Sequence, residues 1–407
     1  MPAPGFAVEK LPRFHDRAMA AFIVDDVHGQ DAASAAAFRA FRDWCGENGL
    51  RGETSLILGY RRDAEGSPLP LHPDYVRDLR QADQKKLFDA YMEVMTHGNR
   101  FDFGNGRIGL TGPHEGIWLL DESVAIEEYA AYFKNIAGMA AQYDLKVNGL
   151  TIPGCGCAAC VAFKKGRRIA PLHAGCLNSG VALALLQMAQ KGALATPLAG
   201  TFMGTVKAGP ADVAVLAENG AHAVYDLPPG VSGDSFGRWD NDSKYVDPDV
   251  YVTADGTGGR LAELIAQGTR TLIYYGHWQG LRPDQGVGFA AFREVARRLA
   301  TFYADRIEWM RPTAIAAYVH AWRHTELRPG PNLLGAFADT SPDGQLFELR
   351  IPFAAAHPIS LRVRGSAQVK IRTPAKKFLT PWKVFPAEQC AIFDLTPETG
   401  RYEVLPG

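Results

Sequence analysis

Seven short apolar runs recur between residues 17 and 318, most of them followed by a longer amphipathic stretch, and this alternation limits the fold more than any other feature. The runs are Ala20–Val24, Ser55–Tyr60, Tyr91–Thr96, Leu145–Ile152, Pro197–Met203, His222–Leu227 and Thr271–Tyr275. They are rich in β-branched and aromatic residues and nearly continuous in apolar character, as strands covered on both faces are. Between them, Ala32–Asn48, Ser123–Tyr143 and Ser179–Lys191 read as helices. In the second, Val124, Ile126, Tyr129, Tyr132, Phe133 and Ile136 fall mostly at helical spacing behind Ser123. The pattern predicts an α/β fold with a parallel sheet. Seven strands rather than eight predict a distorted or open β/α barrel.

The texture changes after His324. Leu327–Asn332 is a Pro/Gly break, and Gln345–Ile351, Ile359–Val363, Ala367–Ile371 and Ala391–Leu395 then alternate with period two. Asp343-Gly344 and Gly365-Ser366 supply turn residues between runs. The expected organisation is therefore a barrel over residues 1–325 and a small antiparallel β domain, sandwich-like, over 330–407. A length of 407 residues suits one large domain plus a smaller one.

Composition excludes several function classes. Apolar residues make up 47% and charged residues 21%, which is the balance of a folded chain. Basic and acidic side chains number 43 and 44, so no electrostatic footprint for nucleic acid or an anionic membrane is present. No apolar run reaches the roughly 20 residues needed to cross a bilayer. Met1–Lys10 lacks a basic-then-apolar signal pattern. A cytoplasmic protein acting on a small-molecule or carbohydrate substrate is expected, and a homo-oligomer is compatible with this balance.

Four of the six cysteines, Cys155, Cys157, Cys160 and Cys176, fall close together, with His173 near the last. C-x-C-x-x-C spacing is awkward for a disulfide framework. These residues offer four soft ligands for a second, structural zinc site; the competing reading is a loop of free thiols.

The chemistry concentrates at strand ends, where active sites of parallel α/β folds form. The first run ends in Asp25-Asp26-Val27-His28, and adjacent carboxylates behind a buried strand are costly unless each has a partner. One Asp could instead cap the next helix while the other faces solvent. Glu93–His97 ends in a histidine, His114 follows in Gly112-Pro113-His114-Glu115-Gly116, and the last run leads to His277-Trp278. A carboxylate and two imidazoles from neighbouring strand ends make a normal ligand set for a catalytic divalent metal.

Arg17–Asp26 resembles the first motif of the polysaccharide deacetylases, an apolar strand ending in paired aspartates. Glu93–His97 resembles the opening of that family's second motif, Leu150–Gly156 occupies the place of the third, and Ile273–His277 resembles the last. The resemblance covers roughly residues 17–320. It implies that Asp26, His97 and His114 bind a divalent metal, expected to be zinc. Asp25 would be the general base and His277 the general acid. The implied activity is metal-dependent hydrolysis of an amide, most of all N-deacetylation of an amino sugar or polysaccharide. Glu115 and Trp278 are the expected substrate contacts, with Trp278 and Trp239 as stacking platforms, although tryptophans in such folds are more often core.

Three departures stand out. Thr151-Ile152-Pro153-Gly154 lacks the family's motif-three arginine, so Asp25 needs another orienting donor. Tyr275 stands where a leucine is usual, and Asn99–Pro113 is an insertion ahead of His114. If His114 lies apart, Glu115 or His28 becomes the candidate ligand. Other readings are a hydrolase of a small non-sugar amide, a catalytically silent carbohydrate-binding protein, and a scaffold whose cysteines hold its one metal.

Overall fold

A computed structural model describes residues 6–109, 113–119, 121, 123–151, 179–194, 198–201, 213–228, 236–237, 246–330, 345–353 and 357–407. The chain divides into two compact units, residues 18–316 and residues 1–17 with 317–407.

The larger unit is built on one sheet. Its strands run in the order Thr271–His277, Ala18–Asp25, Gly52–Leu56, Phe88–Met92, Gly149–Thr151, Leu198–Thr201, His222–Asp226 and Ala214–Asn219. All neighbours are parallel except the last pair. Ile307–Trp309 adds a further parallel strand against the start of Ala18–Asp25. The α/β class and the parallel sheet are as expected. The seven-stranded barrel is not: the sheet has nine strands, and among the described residues no ladder joins its two edges.

Alternation along the strands explains why both faces are dry. Ala18, Ala20, Phe22 and Val24 pack with Phe38, Phe41 and Phe292 in the main hydrophobic cluster. Met19, Ala21, Ile23 and Asp25 point the other way and are also buried. Parallel register carries this second face across the sheet, with Asp25 beside His277 and Ile23 beside both Tyr275 and Glu53. Glu53 in turn stands beside Asp89. A sheet face that is usually apolar thus carries carboxyl, phenol and imidazole groups.

The helices start for local reasons. Asp31 caps Ala32–Glu47 by accepting the Ser34 N–H at 2.7 Å. Pro73 sits at the first turn of Pro73–Gln84, where a missing N–H costs nothing. Among the described residues no helix is long and apolar enough to cross a membrane.

The smaller unit is antiparallel. One sheet runs Ala7–Lys10, Ile359–Arg364, Cys390–Leu395, Lys383–Phe385; the other runs Glu326–Pro329, Gln345–Arg350, Gly400–Pro406, Val369–Arg372, Phe378–Leu379. The N-terminal strand pairs with residues more than 340 positions away, so this unit takes in residues assigned by sequence to the barrel span 1–325.

Candidate active site

Three non-glycine residues at the strand ends adopt left-handed backbone: Asp26 (φ 59), Val94 (φ 47) and His97 (φ 54). Each such residue costs on the order of 1–3 kcal/mol and persists only where its surroundings hold it. The holding contacts are specific. The Asp26 N–H donates to Glu93 Oε2 at 2.9 Å and the Val27 N–H to Ser55 Oγ at 2.9 Å. Glu115 accepts the Met95 and Thr96 N–H groups at 3.2 and 2.8 Å, the Thr96 hydroxyl at 2.9 Å, and the Tyr132 hydroxyl. The turn carrying His97 is thereby pinned to the helix that follows.

Asp25, the last residue of its strand, is 1% exposed. The Tyr275 hydroxyl donates to its Oδ2, while Oδ1 has no hydrogen-bond partner among the described residues. Burial pushes the Asp25 carboxyl well above the usual range, and the charges of Glu93 and Asp26 push the same way. Asp25 therefore holds its proton more tightly than an ordinary carboxyl. The Tyr275 hydroxyl is thus the donor that orients the Asp25 carboxyl. That hydroxyl also lies 3.2 Å from His277 Nε2, which is 3.9 Å from Asp25 Oδ2 and 3.8 Å from Asp26 Oδ2.

Asp26 behaves oppositely. Burial would raise its pKa, but the hydrogen bond and charge of His97 outweigh burial and hold it below the usual value. His97 Nε2 lies 3.0 Å from Asp26 Oδ1 and 3.1 Å from Glu93 Oε1. Burial acts to lower the His97 pKa; the two carboxylates overcome it and hold the imidazole up at about 12. These three side chains bring one donor atom each within 4.8 Å of one another, close enough to hold one metal ion.

Other expected residues fall elsewhere. His114 is beside the site, its ring centroid 6.3 Å from that of His97, but its Nδ1 accepts the Gly116 N–H at 3.1 Å as a helix cap. Glu93, not His114, completes the trio with Asp26 and His97. His28 is buried beside Asp26 and stacks on Tyr60, with ring centroids 4.4 Å apart. Glu115 cannot meet a substrate, because it is fully buried and its oxygens already accept the contacts above. Trp278 is likewise corrected from substrate contact to core: it is fully buried against Phe38 and Phe41. Cys155, Cys157, Cys160, Cys176, His173 and Trp239 lie outside the described residues. Sequence reasoning missed Glu93 as a site group, and it placed Tyr275 in the site only as a replacement for a leucine, not as the donor to Asp25.

No protein-family model and no curated protein matches this sequence. Among solved structures, a 4-alpha-glucanotransferase from Thermococcus litoralis is 8% identical with a TM-score of 0.38, over 73% of this chain and 39% of that one. This chain thus spans about two fifths of that enzyme's length. The catalytic domain of GH30 xylanase C from Talaromyces cellulolyticus is 9% identical with a TM-score of 0.31, over 99% of each chain. An endo-beta1,6-glucanase is 9% identical with a TM-score of 0.27, over 99% of this chain and 93% of that one. The resemblance to the polysaccharide deacetylases is not upheld: no model of that family and no curated member of it matches the chain, and none of these solved structures is a deacetylase. TM-scores below 0.5 carry no inference about activity.

Proposed function

We propose that this chain is a hydrolase acting on carbohydrate, with Asp25 as the acid that protonates the leaving oxygen. One observation carries the reading: the adjacent strand-end carboxyls sit in environments that push them apart, Asp25 buried with the Tyr275 hydroxyl on its Oδ2 and its pKa raised, Asp26 against His97 Nε2 at 3.0 Å and its pKa lowered. Environments that push two titratable groups apart are how one site supplies both an acid and a base. Asp25, assigned as base from the sequence resemblance, takes the acid role because its surroundings keep the proton on it. Asp26, ionised, takes the proton that the attacking water loses as its oxygen bonds to the sugar carbon and the bond to the leaving oxygen breaks. His277, within 4 Å of both carboxyls and bridged to Asp25 by the Tyr275 hydroxyl, relays that proton from Asp26 to Asp25 after turnover and so restores the acid.

The carbohydrate reading is supported by Tyr60. Its ring is 37% exposed and stacks on His28 at 20°. His28 Nδ1 lies 3.2 Å from the Asp26 carbonyl oxygen, so the Tyr60 ring stacked on His28 stands close to the strand end that carries the carboxyls. An aromatic face next to carboxylates and imidazoles suits a ligand with apolar ring faces and hydroxyl edges.

The test is a glycan panel (α-glucans, β-glucans, xylan, and an N-acetylated amino-sugar polymer) read for new reducing ends and, separately, for acetate. New reducing ends from at least one glycan are expected, with Asp25→Asn and His277→Ala each slower by at least ~10²-fold. Acetate without new reducing ends, or undiminished rates in both variants, would overturn the proposal.

A further inference from the structure

We infer that Asp26, Glu93 and His97 form a binding site for one divalent cation, with Glu93 rather than His114 as the third ligand. The inference rests on geometry alone and stands or falls separately from the choice of substrate. Asp26 and Glu93 are 4% and 0% exposed. Asp26 Oδ1 and Glu93 Oε1 are buried and both converge on His97 Nε2 at 3.0 and 3.1 Å, with no other hydrogen bond to these two oxygens recorded among the described residues. Burying two carboxylate oxygens with so little to neutralise them is costly unless a positive charge meets them.

The second oxygen of each carboxylate is already taken. Gln279 Nε2 donates to Asp26 Oδ2 at 3.3 Å, and the Asp26 N–H donates to Glu93 Oε2 at 2.9 Å. Such partners fix the direction of the free oxygens, as outer contacts do around metal ligands. The left-handed backbone of Asp26 and His97 turns both side chains towards the same point. A proton on His97 is the competing way to neutralise the pair, and a divalent cation meets the same field with twice the charge. Two carboxylate oxygens and one imidazole nitrogen suit Mn²⁺, Fe²⁺ or Zn²⁺. Three protein ligands leave positions open to water, the arrangement of a catalytic rather than a structural metal.

His114 is the rival ligand. Its Nδ1 caps the Glu115–Trp118 turn, and it lies outside the trio of converging donors.

Mn²⁺ is the probe, because carboxylate and imidazole accept it while the thiolates of Cys155, Cys157, Cys160 and Cys176 favour softer ions. Calorimetric titration of metal-stripped full-length protein with MnCl₂ should show one ion per chain. Asp26→Asn and Glu93→Gln should each weaken binding by at least ~10²-fold, and His114→Ala by less than about threefold. Mn²⁺ should raise the melting temperature of the wild type and of His114→Ala, but not of Glu93→Gln. Should Glu93→Gln fail to fold, Glu93→Asp keeps the charge, shortens the reach and should bind more weakly than the wild type. No Mn²⁺ binding by the wild type, or an equal loss in His114→Ala and Glu93→Gln, overturns the inference.

Discussion

Glu53 is fully buried on the polar face of the sheet, and neither carboxyl oxygen has a hydrogen-bond partner among the described residues. Burial raises its pKa well above the usual value, and the neighbouring carboxyl groups of Asp25, Glu93 and Asp89 push it the same way. A raised folded-state pKa means that the native protein holds the proton more tightly than the unfolded chain. The stabilisation is complete below the unfolded value of about 4.3 and is lost as pH rises towards the folded value. Inside that window the slope is up to about 1.4 kcal/mol per pH unit, so two units remove up to about 2.7 kcal/mol. Glu53→Gln keeps the shape and cannot ionise, so its own offset, a buried amide, does not vary with pH. Urea unfolding of both proteins at half-unit steps from pH 4.5 to 7 should show the variant gaining stability relative to wild type as pH rises. A constant difference across that range would refute the claim that Glu53 is buried, unpartnered and neutral.

Three further outcomes follow from the geometry. Glu115→Ala strips the Met95 and Thr96 N–H groups and the Tyr132 hydroxyl of their acceptor; urea unfolding should show a loss of at least about 3 kcal/mol. Tyr275→Phe removes the donor to Asp25 Oδ2 and should lower kcat about tenfold or more with the melting temperature nearly unchanged. Trp278→Ala empties a fully buried site against Phe38 and Phe41 and should cost about 3–5 kcal/mol. A rise in KM at unchanged stability would instead restore Trp278 as a substrate contact.

What could be read from the sequence was local. Asp25, Asp26 and His277 were legible because a strand of even register delivers its last inward residues to one edge, and Asp25 does stand beside His277. The strand starts read late, at Ser55 and Tyr91 rather than Gly52 and Phe88, because Glu53 and Asp89 are charged yet point into the buried face. An apolar-run argument cannot see a buried carboxylate. Glu93 was hidden by geometry: four residues of extended chain would put it about 13 Å from His97. The left-handed turn at Val94 and His97 brings the two side chains to 3.1 Å, and no residue-type signal marks a valine for that conformation. The pairing of Ala7–Lys10 with Ile359–Arg364 spans almost the whole chain, beyond any local pattern.

The claim that Asp25 is the acid is tested most directly by leaving-group dependence. On the glycan that the wild type cleaves, Asp25→Asn should lose at least ~10²-fold in kcat/KM. On the matching aryl glycoside, whose phenolate departs without a proton, the same variant should keep most of the wild-type rate. An equal loss on both substrates would contradict an acid role for Asp25 and require the proton to come from another group.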